Sequence, residues 1–78
     1  MARVTQSITL TVAQRKKLAA RRHAKEMTVS DLAAAVGVDR SMIAHIENGT
    51  KAAPISLLSR VAKRLDLAFS ARLDVKLD

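Results

Sequence analysis

Between Thr28 and Thr50 the sequence reads TVSDLAAAVGVDRSMIAHIENGT, and this stretch admits few folds. Thr28 is a good helix N-cap, and Asp31, at the third helical position, complements the positive end of the helix dipole. Leu32, Ala33 and Val36 then recur at helical spacing as a stripe to be buried. Gly37 ends the run, because glycine best adopts the left-handed backbone that closes a helix, and Val38 can pack back over it. Asp39 is placed to cap a second helix, Arg40 to Glu47, which Asn48-Gly49 stops. With successive residues about 100° apart, Ile43 and Ile46 point one way while Arg40, Ser41, Ala44, His45 and Asn48 gather on the other side. That second face has little reason to be buried. Two short helices joined by a glycine turn are therefore expected.

The flanking sequence supplies two more helices and two candidate strands. Val4, Ile8 and Leu10 alternate with polar residues, which suits a short strand over residues 3–10, though an ordered arm or a disordered tail would read similarly. Thr11 and Gln14 match a capping box and start helix 1. Val12, Leu18 and Ala19 can line its inner face, with Arg15, Lys16, Lys17 and Arg21 largely outward, and the helix runs to about Lys25. Pro54 can occupy the first turn of helix 4, where its missing amide costs nothing. Ile55, Leu58, Val61, Ala62 and Leu65 give that helix its apolar face. From Leu67 to Leu77 the period changes to two, which predicts a C-terminal strand over residues 67–77. A lone strand is unstable, so its partner is the Val4 to Leu10 segment, the same strand of a second subunit, or both. No linker or repeat divides the chain, so one mainly α domain over residues 1–78 is expected.

Composition narrows the function. The chain has 78 residues and no Cys. A domain this small buries only about 60% of its unfolded surface, so dimerisation would help it. Without Cys there is neither a disulfide framework nor a thiolate zinc site. The N-terminus lacks the order of a signal peptide. The apolar run Leu32 to Val38 is far below the ~20 residues of a membrane span. A soluble, cytoplasmic protein with no membrane association is expected. The net charge is +7, and such a field attracts polyanions. Residues 1–25 carry seven Lys and Arg and no acid, whereas residues 26–50 carry four acids against Arg40 alone. The positive charge therefore flanks the two-helix stretch, either as a solvated helix face or as a surface for nucleic acid or an acidic membrane.

At this point the residues match a family. From about Leu18 to Phe69 the sequence resembles the helix-turn-helix domain of the phage lambda repressor and Cro type, the XRE family. The resemblance rests on Arg22, Met27-Thr28, Leu32-Ala33, Val36-Gly37-Val38, Arg40-Ser41, Ile43, Ile46-Glu47-Asn48-Gly49 and Ala62-Lys63-Arg64-Leu65 at their mutual spacing. It implies a compact four-helix domain whose helix 3 enters the DNA major groove while the start of helix 2 abuts the phosphate backbone. By position, Arg40, Ser41, Ala44 and His45 fall where the family reads bases, with Met42 at the margin. Thr28, Val29, Asn48, Thr50 and Lys51 fall where it meets phosphates. The positions of Arg22 and Glu47 commonly form an ion pair, which makes Glu47 structural. Val29 replaces a frequent glutamine, so only its backbone amide remains to bind. Glu26 stands where glycine is common, so helix 1 ends differently or runs on. The C-terminal strand is absent from many members, although HipB-like antitoxins carry something similar that joins two subunits.

The side chains suit those roles to different degrees. A guanidinium at Arg40 can pair with guanine O6 and N7, worth about 1–3 kcal/mol of discrimination, or it can clamp a phosphate. Ser41 can reach a base edge, a phosphate or only solvent. Ala44 and Met42 offer contact to a thymine methyl, and Met42 serves equally as core filler. His45 can hydrogen-bond a base or a phosphate. It is a poor metal candidate, because His23 is the only other His and no carboxylates lie at ligand spacing. No phosphate-cradling glycine loop or catalytic arrangement is present, so neither an enzyme nor a cofactor is expected. The single aromatic residue leaves little platform for single-stranded RNA. The sequence thus points to a homodimeric, sequence-specific regulator of double-stranded DNA that acts as a repressor. The alternative is an antitoxin that also binds a toxin protein.

Overall fold

Helix starts in this protein are written into short polar motifs. The computed structural model describes residues 6–68. In chain order these form β1 (Ser7–Ile8), α1 (Val12–Ala24), α2 (Val29–Val36), α3 (Arg40–Asn48), β2 (Ala53–Pro54) and α4 (Ile55–Arg64). Before α1, the Thr11 hydroxyl accepts from the Gln14 amide at 3.1 Å, and the Gln14 side-chain carbonyl accepts from the Thr11 amide at 2.8 Å. Thr28 and Asp31 repeat the same reciprocal pair before α2, at 3.0 and 2.9 Å. Two free amides are satisfied each time. Asp39 departs from expectation. It holds the N-cap position of α3, yet its side chain makes no capping hydrogen bond; its carbonyl instead accepts from the Met42 amide at 3.0 Å. Pro54 also stands one residue earlier than expected, at the cap of α4 rather than in its first turn. It is held extended by pairing with Ser7, and the next amide, Ile55, donates to the Gln6 carbonyl at 3.0 Å.

All four helices end through one left-handed residue. These are Glu26 (φ 55°), Gly37 (φ 76°), Gly49 (φ 68°) and Asp66 (φ 56°). The amide that follows each donates to the carbonyl five residues back: Met27 to Arg22, Val38 to Ala33, Thr50 to His45 and Leu67 to Ala62, at 2.8–3.2 Å. Helix 1 therefore does not run on past the position where the family favours glycine. Glu26 adopts the glycine conformation itself, at a cost that an L-residue pays there.

The two short strands pair antiparallel, Ser7 with Pro54 and Ile8 with Ala53. The N-terminal strand thus finds a partner in the segment just before α4. Residues 3–5 of the expected arm and residues 69–77 of the expected C-terminal strand lie outside the described residues. The first two residues of that strand, Leu67 and Ala68, are not extended in a ladder, because the Leu67 amide closes α4.

The core joins Leu10 and Leu18 to Leu32, Ala33 and Val36 of α2, Ile43 and Ile46 of α3, Ala53, and Leu57, Leu58, Val61 and Leu65 at α4. Leu32, Ile43 and Leu65 are completely buried. Leu57 joins this set because α4 packs against both α2 and β2, which widens the arc it must bury. Val12, expected on the inner face of α1, is instead 57% exposed. It lies in the first turn, which the capping box holds at the surface, and Leu18 is the first residue of α1 to be buried.

Candidate nucleic-acid interface

The geometry first decides which basic side chains are committed to the protein itself. Helix C-termini expose carbonyls with partial negative charge, and here arginines from other helices meet three of them. Arg15 of α1 donates to the Asn48 carbonyl at the end of α3 at 2.7 Å. Arg60 of α4 donates to Val36 at the end of α2 at 3.1 Å. Arg21 of α1 donates to Leu65 and Asp66 beyond α4, both at 3.1 Å. The expectation that Arg15 and Arg21 point outward is corrected accordingly: both are half-buried.

Arg22 is committed more completely. It is 7% exposed, and its Nε and Nη2 donate to Glu47 Oε2 and Oε1 at 2.7 and 3.0 Å, while Nη1 donates to the Met27 carbonyl at 2.8 Å. The hydrogen bond and charge of Glu47 hold the guanidinium above its ordinary range, against the desolvation that lowers it. This fork ties α1 to α3, as the resemblance implied for these positions. At the surface, Lys25 Nζ meets Asp66 Oδ2 at 2.7 Å and keeps that carboxylate below its usual range.

Among the residues left outward are most of the polar ones on α3. Arg40, Ser41 and Asn48 are exposed, and Ala44 and His45 are half-exposed beside them. Met42 is partly buried against the core, so much of its side chain is already occupied by packing. His45 Nδ1 lies 2.6 Å from Thr50 Oγ1, which leaves Nε2 as the nitrogen open to another partner. Its tautomer follows from which atom of that pair carries the proton.

Two groups flank the face. At the start of α3, an open groove is lined by Arg22, His23, Glu26, Met27, Thr28, Val29, Ser30 and Arg40. It brings Arg40 to the N-terminus of α2. The Thr28 hydroxyl accepts from Asp31 there and keeps its own proton to donate. Val29 packs its side chain on the core, so its backbone amide is what it presents. The Asp31 carboxyl is held below its usual range, chiefly by the hydrogen bond it accepts from the Thr28 amide. At the far end of α3 stand Asn48, Thr50 and Lys51, all exposed. The helix has nine residues, hence a length of about 13.5 Å, close to the ~12 Å width of a DNA major groove. Of the residues that shape this surface, Arg15 was missed by sequence reasoning, and no local signal could have found a contact that spans 33 positions.

No helix among the described residues is long and apolar enough to cross a membrane. No curated protein matches the chain. A family model, helix-turn-helix, matches residues 18–71, well over half of the sequence. That range contains the capped α2, the left-handed Gly37 turn and α3 with its outward polar face. The chain belongs to the helix-turn-helix family of the XRE type and is a DNA-binding transcription regulator.

Proposed function

We propose that this regulator is a repressor that binds a near-palindromic operator as a homodimer, working in the cytoplasm where its DNA is. The observation that carries the reading is the outward face of α3, a helix about as long as a major groove is wide, with donor-bearing residues at each end. Arg40 reads guanine through O6 and N7, and Ser41 and His45 supply further hydrogen bonds to base edges. Ala44 contacts a thymine methyl, and the exposed part of Met42 adds to that apolar contact. Thr28 and the Val29 amide grip one phosphate strand, and Asn48, Thr50 and Lys51 grip the other. Phosphate contacts position the domain and base contacts specify the sequence. Two copies place their α3 helices in successive grooves, about 34 Å apart or a multiple of it.

Selection of bound sequences from random DNA, with the mass of the complex measured on the selected site, tests this reading. Arg40→Ala is expected to relax preference at one symmetric position of the selected site. Equal weakening on all sequences would remove Arg40 from base reading, and one copy per site would refute the dimer. A second reading, an antitoxin, draws on the alternating pattern from Leu67 to Leu77, which suits strand pairing with another chain. Recovery from the native host of the homodimer alone under mild conditions would count against it.

A further inference from the structure

Gly49 is constrained twice. Its φ of 68° belongs to the left-handed region, which glycine and asparagine adopt readily. Independently, a Cβ at this position would lie 2.5 Å from Arg15 Nη1, 2.6 Å from Cζ and 2.9 Å from Nε. The guanidinium of Arg15 therefore lies directly against the glycine, while Nη1 donates to the Asn48 carbonyl at 2.7 Å. Its Nε is buried with no partner among the described residues, which is a cost the close packing imposes. The turn beneath it carries much of the far end of the DNA-facing surface. The Thr50 amide returns to the His45 carbonyl at 3.2 Å, Thr50 Oγ1 holds the His45 ring at 2.6 Å, and Lys51 follows.

We infer that Arg15 is a positioning residue for DNA binding: lying flat over Gly49, it fixes the turn that sets Thr50, Lys51 and the His45 ring. Its role differs from that of the Arg22–Glu47 fork, which grips α3 by a side chain, because Arg15 grips the backbone where the helix ends. The planar fork of arginine suits this task and the point charge of lysine does not. The inference rests on α3 being the helix that enters the groove.

The test separates the two constraints on Gly49. Asparagine accepts the left-handed backbone but brings a Cβ, so Gly49→Asn displaces the flexible Arg15 head and retains its charge. Arg15→Gln, Gly49→Asn and the double variant are compared with the wild type on the selected DNA site, at a temperature well below every unfolding midpoint. Each single variant is expected to lose about tenfold in affinity, the scale of one charge-assisted hydrogen bond, and the double variant is expected to lose no more than either. Preference at the position read by His45 is expected to weaken in all three.

Lowered unfolding midpoints with unchanged affinity and preference would make Arg15 merely structural and overturn the inference. Loss in Arg15→Gln but not in Gly49→Asn would make Arg15 a direct phosphate contact and overturn it equally. So would additive losses in the double variant. Should Gly49→Asn fail to fold, Arg15→Lys makes the same distinction: a direct charge is kept in it, and positioning by a planar head is lost. A wild-type chain that selects no sequence would refute the proposed function itself, whereas a selective wild type with an equally selective Arg15→Gln refutes this inference alone.

Discussion

Replacing Glu47 with Leu should remove a large share of this domain's stability, and replacing Arg22 as well should restore most of it. In the wild type the fork has two charge-assisted bonds of 2.7 and 3.0 Å, and the two side chains are only 9% and 11% exposed. Without Glu47 the guanidinium keeps two neutral partners, the Met27 carbonyl at 2.8 Å and the more distant His23 Nε2 at 3.4 Å, and is otherwise a buried charge without compensation. Breaking such a pair from one side costs about 3–5 kcal/mol, and the surviving carbonyl contact favours the lower figure. A 78-residue chain has roughly 4–12 kcal/mol of stability in all, so the variant stands near the edge of folding. A loss of about 3 kcal/mol corresponds to a fall of about 12 °C or more in the unfolding midpoint.

The double variant Arg22→Met with Glu47→Leu takes both charges out of the interior. It is expected within about 2 kcal/mol of the wild type, since apolar replacement of a buried pair is often neutral. The assay is urea unfolding followed by far-ultraviolet circular dichroism, because the chain contains no Trp or Tyr. Two results would refute the reasoning. One is a cost below about 1 kcal/mol for Glu47→Leu, which would mean that water reaches the guanidinium easily. The other is a double variant whose loss equals the sum of the two single losses, which would mean that the groups do not act as a pair.

Two further outcomes follow from other parts of the fold. Glu26→Gly should stabilise the protein by about 0.5–1 kcal/mol, because glycine removes the left-handed penalty at φ 55° while losing more chain entropy on folding; thermal unfolding of the two proteins measures it, and no gain would show that Glu26 has compensating contacts. Acidification should destabilise the domain: Asp31 and Asp66 both titrate below the ordinary value of 3.8 when folded, so their contribution is present above that pH and is lost as pH falls through the folded values. The unfolding midpoint should accordingly fall more gently from pH 5 to 3, to within about half a unit, in an Asp31→Asn, Asp66→Asn variant than in the wild type.

What could be read from the sequence were the interactions that close within a turn or two of chain. The capping boxes at Thr11 and Thr28 join residues three apart, and the Gly37 and Gly49 turns answer to a conformation that glycine supplies by itself. The stripes Leu32, Ala33, Val36 and Ile43, Ile46 follow from helical periodicity and are all buried. Glu26 and Asp66 were harder, because nothing in their side chains requires the left-handed backbone they adopt.

The tertiary structure alone decided how the basic residues are divided. Runs such as Arg15-Lys16-Lys17 look like one charged face in sequence. Yet Arg15, Arg21 and Arg60 reach carbonyls 33, 44 and 24 residues away, and no local pattern encodes the helix crossings that bring those helix ends within reach. The same holds for β1, whose partner proved to be Ala53 and Pro54 once α4 was packed against α2. Local chemistry determined where each helix begins and which face it buries. The meeting of helix ends determined which charges hold the fold together and which stay exposed.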